Sequence, residues 1–291
     1  MTNHSHSQNK EHPSTYFVQD RSNKEELQRL QIQDHLLTTA MGGVLPEQPD
    51  TLHFKRVLDI GCGPSGWLIE MAQAYPTCTT LVGVDISKRI VEYAREQAQA
   101  AQVQKRVEFL VMDALRMLEF PNEFFDLVNV RCASSYVRTW EWPKLLEEMG
   151  RVCRPGGLLR LTEPEIVTHS SSRALPLFCM QLQEALFRAG HFFDNIPAGV
   201  ATHLPRLLTQ YGGRRLQVQG RTHALAFRAG TPQGVAFVED ITRAVHVLKP
   251  FVLKWCGPSN DYGTFAQQTL EEIHQPAFFA TWNLLTAWAV K

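Results

Sequence analysis

The cysteines form no C-x-x-C pair, no apolar run is long enough for a membrane span, and neither sign of charge prevails. Cys62, Cys78, Cys132, Cys153, Cys179 and Cys256 are scattered. That scatter argues against a structural zinc site and against a disulfide framework, and a reducing, cytoplasmic setting is the default. A membrane helix needs about 18 consecutive apolar residues, so no membrane partner is expected. Met1 to Ser14 has no apolar h-region and reads as a disordered tail, not a secretory signal. Its histidines, His4, His6 and His12, read as solvated, not as a metal set. Lys plus Arg is 29 and Asp plus Glu is 29, so the formal net charge is 29 − 29 = 0. No overall positive field draws nucleic acid to such a chain, and the pair Arg214-Arg215 reads as a solvated rim. What is present is a core: 44% of the 291 residues are hydrophobic and 20% are charged.

The first helix is expected over Asn23 to Met41. Ser22 and Glu25 read as a capping box, and Leu27, Leu30, Leu37 and Met41 recur at helical spacing. Gly42-Gly43 stops it, and Pro46 and Pro49 mark a loop. Then the rhythm changes. Arg56–Ile60, Thr80–Val84, Val107–Val111, Phe125–Val130 and Leu158–Thr162 read as short aliphatic strands. Helices fall between them: Trp67–Tyr75, one capped by Ser87, and one running from Pro143 to Val152. Strand and helix in alternation give an α/β fold, a parallel sheet covered on both faces. After Glu165 come a helical stripe from Leu175 to Ala189, a helix at about His203–Tyr211 and a strand at Arg215–Phe227. Helical stretches at Gln233–Trp255 and Tyr262–Ile273 and a closing strand at Ala280–Val290 complete the chain.

Gly61-x-Gly63-x-x-Gly66 leaves a strand and opens a helix. Such a turn serves a dinucleotide, with pyrophosphate on the helix N-terminus, or a nucleoside cofactor without phosphate. Two residues favour the second. Asp59, two residues before Gly61, repels a pyrophosphate and attracts an ammonium group. Pro64 removes a backbone N–H from the turn and weakens it as an anion nest. S-adenosylmethionine has the required charge. Asp85, 19 residues after Gly66, ends the second strand, where a carboxylate can accept both ribose hydroxyls. Asp113 ends the third strand, positioned for an adenine amine, with the Ala114 N–H for a ring nitrogen. Ile86 and Met112 can pack on the adenine faces. Cys62 reads as a small space-filler within the turn. Singly, each aspartate reads as a cap or turn residue; the ordered set at strand ends points to one ligand.

Val57-Leu-Asp-Ile-Gly-Cys-Gly-Pro-Ser-Gly-Trp67, Val84-Asp-Ile-Ser87 and Arg154-Pro-Gly-Gly157 resemble the motifs of class I S-adenosylmethionine-dependent methyltransferases. Phe125–Arg131 and Trp140-Glu-Trp-Pro-Lys-Leu-Leu146 resemble a subgroup associated with secondary metabolism, as does Glu26-Leu-Gln-Arg-Leu30. The resemblance covers about residues 15–165. It implies a seven-stranded, mostly parallel sheet of order 3-2-1-4-5-7-6, with strand 7 antiparallel. It also implies an N-terminal helical cover at 15–50 and a methyltransferase domain at 51–291, with helical lid segments at 166–212 and 232–276. By the same resemblance Asp59, Gly61 and Gly63 surround the methionine part, and Arg131 lies near its end. Tyr16 and Gln33 belong to the helical cover. The sequence departs from the family at Pro64-Ser65, where many members have Thr-Gly.

Methyl transfer from a sulfonium is an in-line displacement in which the protein mainly aligns the reactants. An oxygen or carbon acceptor can call for a general base. Glu163, Glu165 and His169, just past the fifth strand, are candidates, with loop capping as the alternative for the glutamates and a solvated ring for the histidine. His191, His203 and His246 read as satisfied helix residues. Leu175, Leu177, Phe178, Phe187, Phe192 and Phe193 are either core or a lid over an apolar acceptor pocket. The expected partner is a small apolar or aromatic, natural-product-like methyl acceptor, and at most a second copy of the chain in a homodimer. Two alternatives remain: a protein that uses the bound cofactor for a non-methylating step, and a cofactor-binding regulator without catalysis.

Overall fold

Five aliphatic runs of the sequence become the parallel strands at the centre of the fold. The computed structural model describes residues 15–18, 23–48, 54–258 and 261–291. The expected tail at 1–14, the Ser22 cap and Pro49 lie outside the described residues. The chain runs α1 (Lys24–Met41), β1 (Arg56–Ile60), α2 (Gly66–Ala74), β2 (Thr80–Asp85), α3 (Lys88–Ala100), β3 (Val107–Val111) and β4 (Phe125–Arg131). It continues through a 3₁₀ turn (Ala133–Ser135), α4 (Trp142–Val152), β5 (Cys153–Pro164), β6 (His169–Ser170) and α5 (Ala174–Arg188). A second 3₁₀ turn (Ala201–His203) precedes α6 (Leu204–Tyr211), β7 (Val218–Arg228), α7 (Pro232–Val247), α8 (Lys249–Cys256), α9 (Tyr262–Ile273) and β8 (Phe279–Val290).

The sheet runs β3-β2-β1-β4-β5-β8, with β6 and β7 also on β8. β1 to β5 are parallel, and β8 is antiparallel to both β5 and β7. With the two-residue β6 set aside, β7 is the sixth strand in order of sequence and β8 the antiparallel seventh, as the motifs implied. The eighth strand, β6, pairs Thr281 and Ala280 of β8 while β7 holds the other edge of those residues. It thus extends the line of β5 and adds no new position to the sheet. Its two residues are too few to show a strand pattern in the sequence.

Side chains alternate across each strand. Val57, Leu127 and Leu158 face one side and pack with Trp67, Leu68, Val91 and Ala94 of α2 and α3. Leu58, Ile60, Val128, Val130, Leu159 and Leu161 face the other, against Leu145, Leu146 and Met149 of α4. These side chains are at most 3% exposed, so the centre of the sheet, at β1, β4 and β5, is dry on both faces.

β7 begins at Val218, three residues later than expected, and three other boundaries differ for visible reasons. Asn23, not Ser22, caps α1: its side chain accepts from the Glu25 and Glu26 N–H groups. β5 starts before its glycines because Gly156 N donates to the Lys291 carbonyl (2.7 Å) and Lys291 N to Gly157 (2.8 Å), a pairing made only by the far end of the chain. The single stretch expected from Gln233 to Trp255 divides at Leu248, because Pro250 has no N–H to continue the helix ladder.

Candidate functional site

The turn after β1 is stitched to β2. Cys62 N donates to the Val84 carbonyl (3.0 Å) and Gly63 N to Asp85 Oδ2 (3.2 Å). Gly61 has φ 67°, and a Cβ there would collide with the ring and hydroxyl of Tyr136, so only glycine fits. Ser65 sits at φ 66° just before α2 with no side-chain cap bond. The donors that would hold a pyrophosphate are already engaged. Gly63 N–H faces Asp85, and Trp67 N–H, in the first turn of α2, donates to Asp34 Oδ2 (2.8 Å).

Asp59 belongs to a polar rung that crosses the sheet in register, Asp59 beside Asn129 and Asn129 beside Arg160. Asn129 Nδ2 donates to Asp59 Oδ1 (2.7 Å), and Arg160 Nη1 donates to Asn129 Oδ1 (2.8 Å). Arg160, fully buried, is ion-paired with Glu47 from the loop after α1. Burial pushes the Asp59 carboxyl up from 3.8 to about 7, against the pull of Asn129 and Arg160 and with a further push from Asp85. Asp85 also accepts from Ser87 N (2.8 Å). Asp113 Oδ1 accepts from Leu115 N (2.9 Å), and its other oxygen lies 3.4 Å from Arg116. Both aspartates are thus turn residues and cavity walls at once.

α1 closes the site from the opposite side. Arg131, at the end of β4, is ion-paired with Asp34, donates to Thr38 Oγ1 (3.0 Å), and lies 5.9 Å from the Trp67 ring. Tyr16 donates its hydroxyl to Glu26, and Gln33 Nε2 donates to Asp240 Oδ2 (3.2 Å).

Together these residues enclose a cavity of about 330 Å³. Its wall includes Asp59, Gly61, Cys62, Gly63, Asp85 and Ile86 on one side of the sheet ends, and Met112, Asp113, Ala114 and Arg131 on the other. Tyr16 and Gln33 face the same space. Its charged wall residues are Asp34, Asp59, Asp85, Asp113 and Glu141 against one arginine, Arg131, itself paired with Asp34. Cys62 is 7% exposed, and burial raises its thiol well above the usual range, so it fills space.

The sequence reading missed Thr15, Asp34, Ser135 and Tyr136, all in the wall. A signal for Asp34 existed: it shares a helical face with Leu30, Leu37 and Met41, an acid within an apolar stripe. Nothing local marks Ser135 or Tyr136, which reach the site through the 3₁₀ turn after β4.

None of the three candidate bases lines this cavity: Glu165 is in the wall of a second one, and Glu163 and His169 lie outside both. Glu163 is 1% exposed, and its carboxylate accepts from Ala133 N (2.5 Å) and Ser134 N (3.2 Å). It holds the turn after β4, and burial raises it to about 7. His169 is exposed on β6, its ring 5.6 Å from that of Phe279. His191 is buried, with its ring pushed down to about 4 by desolvation, and His203 pairs with Asp194 (2.9 Å).

A second cavity of about 150 Å³ shares Tyr16, Leu30, Gln33, Cys132 and Ser135 with the first. Of the aromatics weighed as a lid, Phe178 and Phe192 line it. Leu177 and Phe187 are exposed, Leu175 is core, and Phe193 stacks near His203.

Residues 57–157 match the sequence profile of a methyltransferase domain family. A demethylmenaquinone methyltransferase of Deinococcus radiodurans is 34% identical over 151 residues, 52% of this chain and 59% of that protein. The 27-O-demethylrifamycin SV methyltransferase of Amycolatopsis mediterranei is 37% identical over 125 residues, 43% of each chain. The chain thus spans about half the length of these curated relatives. Among solved structures, a Haemonchus contortus phosphoethanolamine N-methyltransferase, in complex with phosphomonomethylethanolamine and S-adenosylhomocysteine, superposes with a TM-score of 0.54. Its sequence identity is 18%, over 94% of this chain and 60% of that one, a likeness of fold. Residues 57–157 thus carry a methyltransferase domain, and over about half its length the chain is similar to curated methyltransferases, the rifamycin enzyme among them.

Proposed function

We propose that this protein transfers the methyl group of S-adenosylmethionine to a small, apolar or aromatic, natural-product-like acceptor. The observation that carries this reading is the charge of the larger cavity. Five acids against one paired arginine, with the turn donors already bonded to carboxylates, favour a cationic nucleoside over a diphosphate. Asp59 would face the ammonium end, with Gly61, Cys62 and Gly63 letting the backbone approach. Asp85 would accept from the ribose hydroxyls. Asp113 and the Ala114 N–H would meet the adenine edge, between Ile86 and Met112. Arg131 fixes Asp34, and Tyr16 and Gln33 close the wall beneath the helical cover. Bound there, S-adenosylmethionine supplies a sulfonium-activated methyl group. The protein's part is to orient the acceptor and exclude water. In this reading 15–50 is the cover, 51–291 the methyltransferase domain, and 166–212 and 232–276 its lid.

Asp85→Ala tests the site. It should lower S-adenosylhomocysteine affinity at least ten-fold by calorimetry while leaving the circular dichroism spectrum unchanged; an affinity near that of the wild type would defeat the ribose assignment. Mass spectrometry of turnover products should show a gain of one methyl. A product changed without that gain would indicate a non-methylating step.

A further inference from the structure

The second cavity has an apolar body and one polar end. Phe178, Leu182, Phe192, Ile241 and Trp282 form the body. At the polar end lie Arg29 and Asp240, with Glu165 also in the wall. Each guanidinium nitrogen of Arg29 donates to a carboxylate. Arg29 Nε and Nη2 donate to Glu26 (2.7 and 2.8 Å), and Nη1 donates to Asp240 Oδ1 (3.1 Å). Arg29 is the one cation among the described wall residues of this cavity, as Arg131 is of the first. Each is ion-paired, so neither is available to an anion. An anionic group entering here would lose its hydration beside carboxylates with no cation in exchange. A neutral donor would find acceptors.

The volume also selects. About 150 Å³ of buried apolar space holds a single aromatic ring. Because Tyr16, Gln33 and Cys132 belong to both walls, a ring seated here abuts the nucleoside cavity.

We infer that the second cavity receives the methyl acceptor, an uncharged molecule about one ring across that offers a hydroxyl or amide hydrogen to Asp240 or Glu165. This rests on the proposed function and adds the location, size and charge of the acceptor. It sets the chain apart from fold neighbours crystallised with phosphorylated ligands.

The test uses the full chain saturated with S-adenosylhomocysteine and two probes of one ring size, catechol and phenyl phosphate. Catechol should bind at least ten-fold more tightly than phenyl phosphate by calorimetry, and should show nuclear Overhauser contacts to the Phe178 ring. Leu182→Trp and Ala244→Leu, which fill the cavity, should weaken catechol at least ten-fold without changing S-adenosylhomocysteine affinity. Phenyl phosphate binding as well as catechol, no binding of either, or catechol untouched in both filled variants would overturn the inference. If the variants fail to fold, the wild-type comparison and the Phe178 contacts decide it alone. Failure of S-adenosylhomocysteine to bind the wild type would instead overturn the proposed function.

Discussion

Asp59 is a carboxyl whose charge state depends on what lies beside it. Its folded value of about 7 stands above the ordinary 3.8 because burial outweighs Asn129 and Arg160. Without ligand, the folded protein retains a proton that the unfolded chain has released. Ionising Asp59 therefore removes stability as pH rises from about 4 through 7. The ammonium group of a bound ligand favours the ionised form, so S-adenosylhomocysteine affinity should rise between pH 6 and 8. Asn129→Ala removes the donor that favours the carboxylate. Calorimetry across pH should then show lower affinity at pH 7 and a midpoint moved to higher pH; an unmoved midpoint would detach the rung from binding. Ser65 gives a second residue-scale expectation. At φ 66° it holds a left-handed conformation, and Ser65→Gly should gain roughly 0.5 kcal/mol in denaturant unfolding, relief of strain outweighing the extra freedom of the unfolded glycine. The sequence marked Asp59 through its place before the glycine turn. It did not mark Asn129 or Arg160, because pairing across three strands has no local signature.

Helix α1 is attached to the fold by charge as much as by apolar packing. Asp34 pairs with Arg131, and the buried trio Glu26, Arg29 and Asp240 joins α1 to α7. Arg29→Ala leaves two carboxylates buried without their cation and should cost about 3–5 kcal/mol in urea unfolding. Because Leu30, Gln33, Asp34 and Leu37 also line the larger cavity, S-adenosylhomocysteine should slow amide exchange along this stretch. Exchange unchanged there but slowed at β1 and β2 would mean that α1 takes no part in binding. The periodicity of α1 was legible, and so was its end at Gly42. Its buried polar face was not, since Glu26 and Arg29 look like ordinary surface residues until α7, more than two hundred residues on, supplies Asp240.

At the scale of the molecule, what the sequence revealed best was the order of the sheet, since each parallel strand is a short aliphatic run ended by a cavity-lining residue or a turn. It was weakest after Glu165, where β6 and the α7–α8 break depend on neighbours distant in sequence. Glu163 illustrates the same divide: its position after the fifth strand suggested chemistry, while its hydrogen bonds make it the brace of another turn. A protein that binds this cofactor type should be stabilised by about 2.7 kcal/mol when S-adenosylhomocysteine is present at 100 times its Kd. Thermal unfolding should show that shift and none with NAD; the reverse would restore the dinucleotide reading. The rung from Asp59 to Arg160 has a further consequence, for assembly. Were β1, β4 and β5 to slide past one another by one residue, Asp59, Asn129 and Arg160 would no longer lie side by side on one face, and each would meet aliphatic neighbours in place of its partner. A row of polar groups in a dry sheet thus acts as an alignment pin, penalising every misregistered version of the fold.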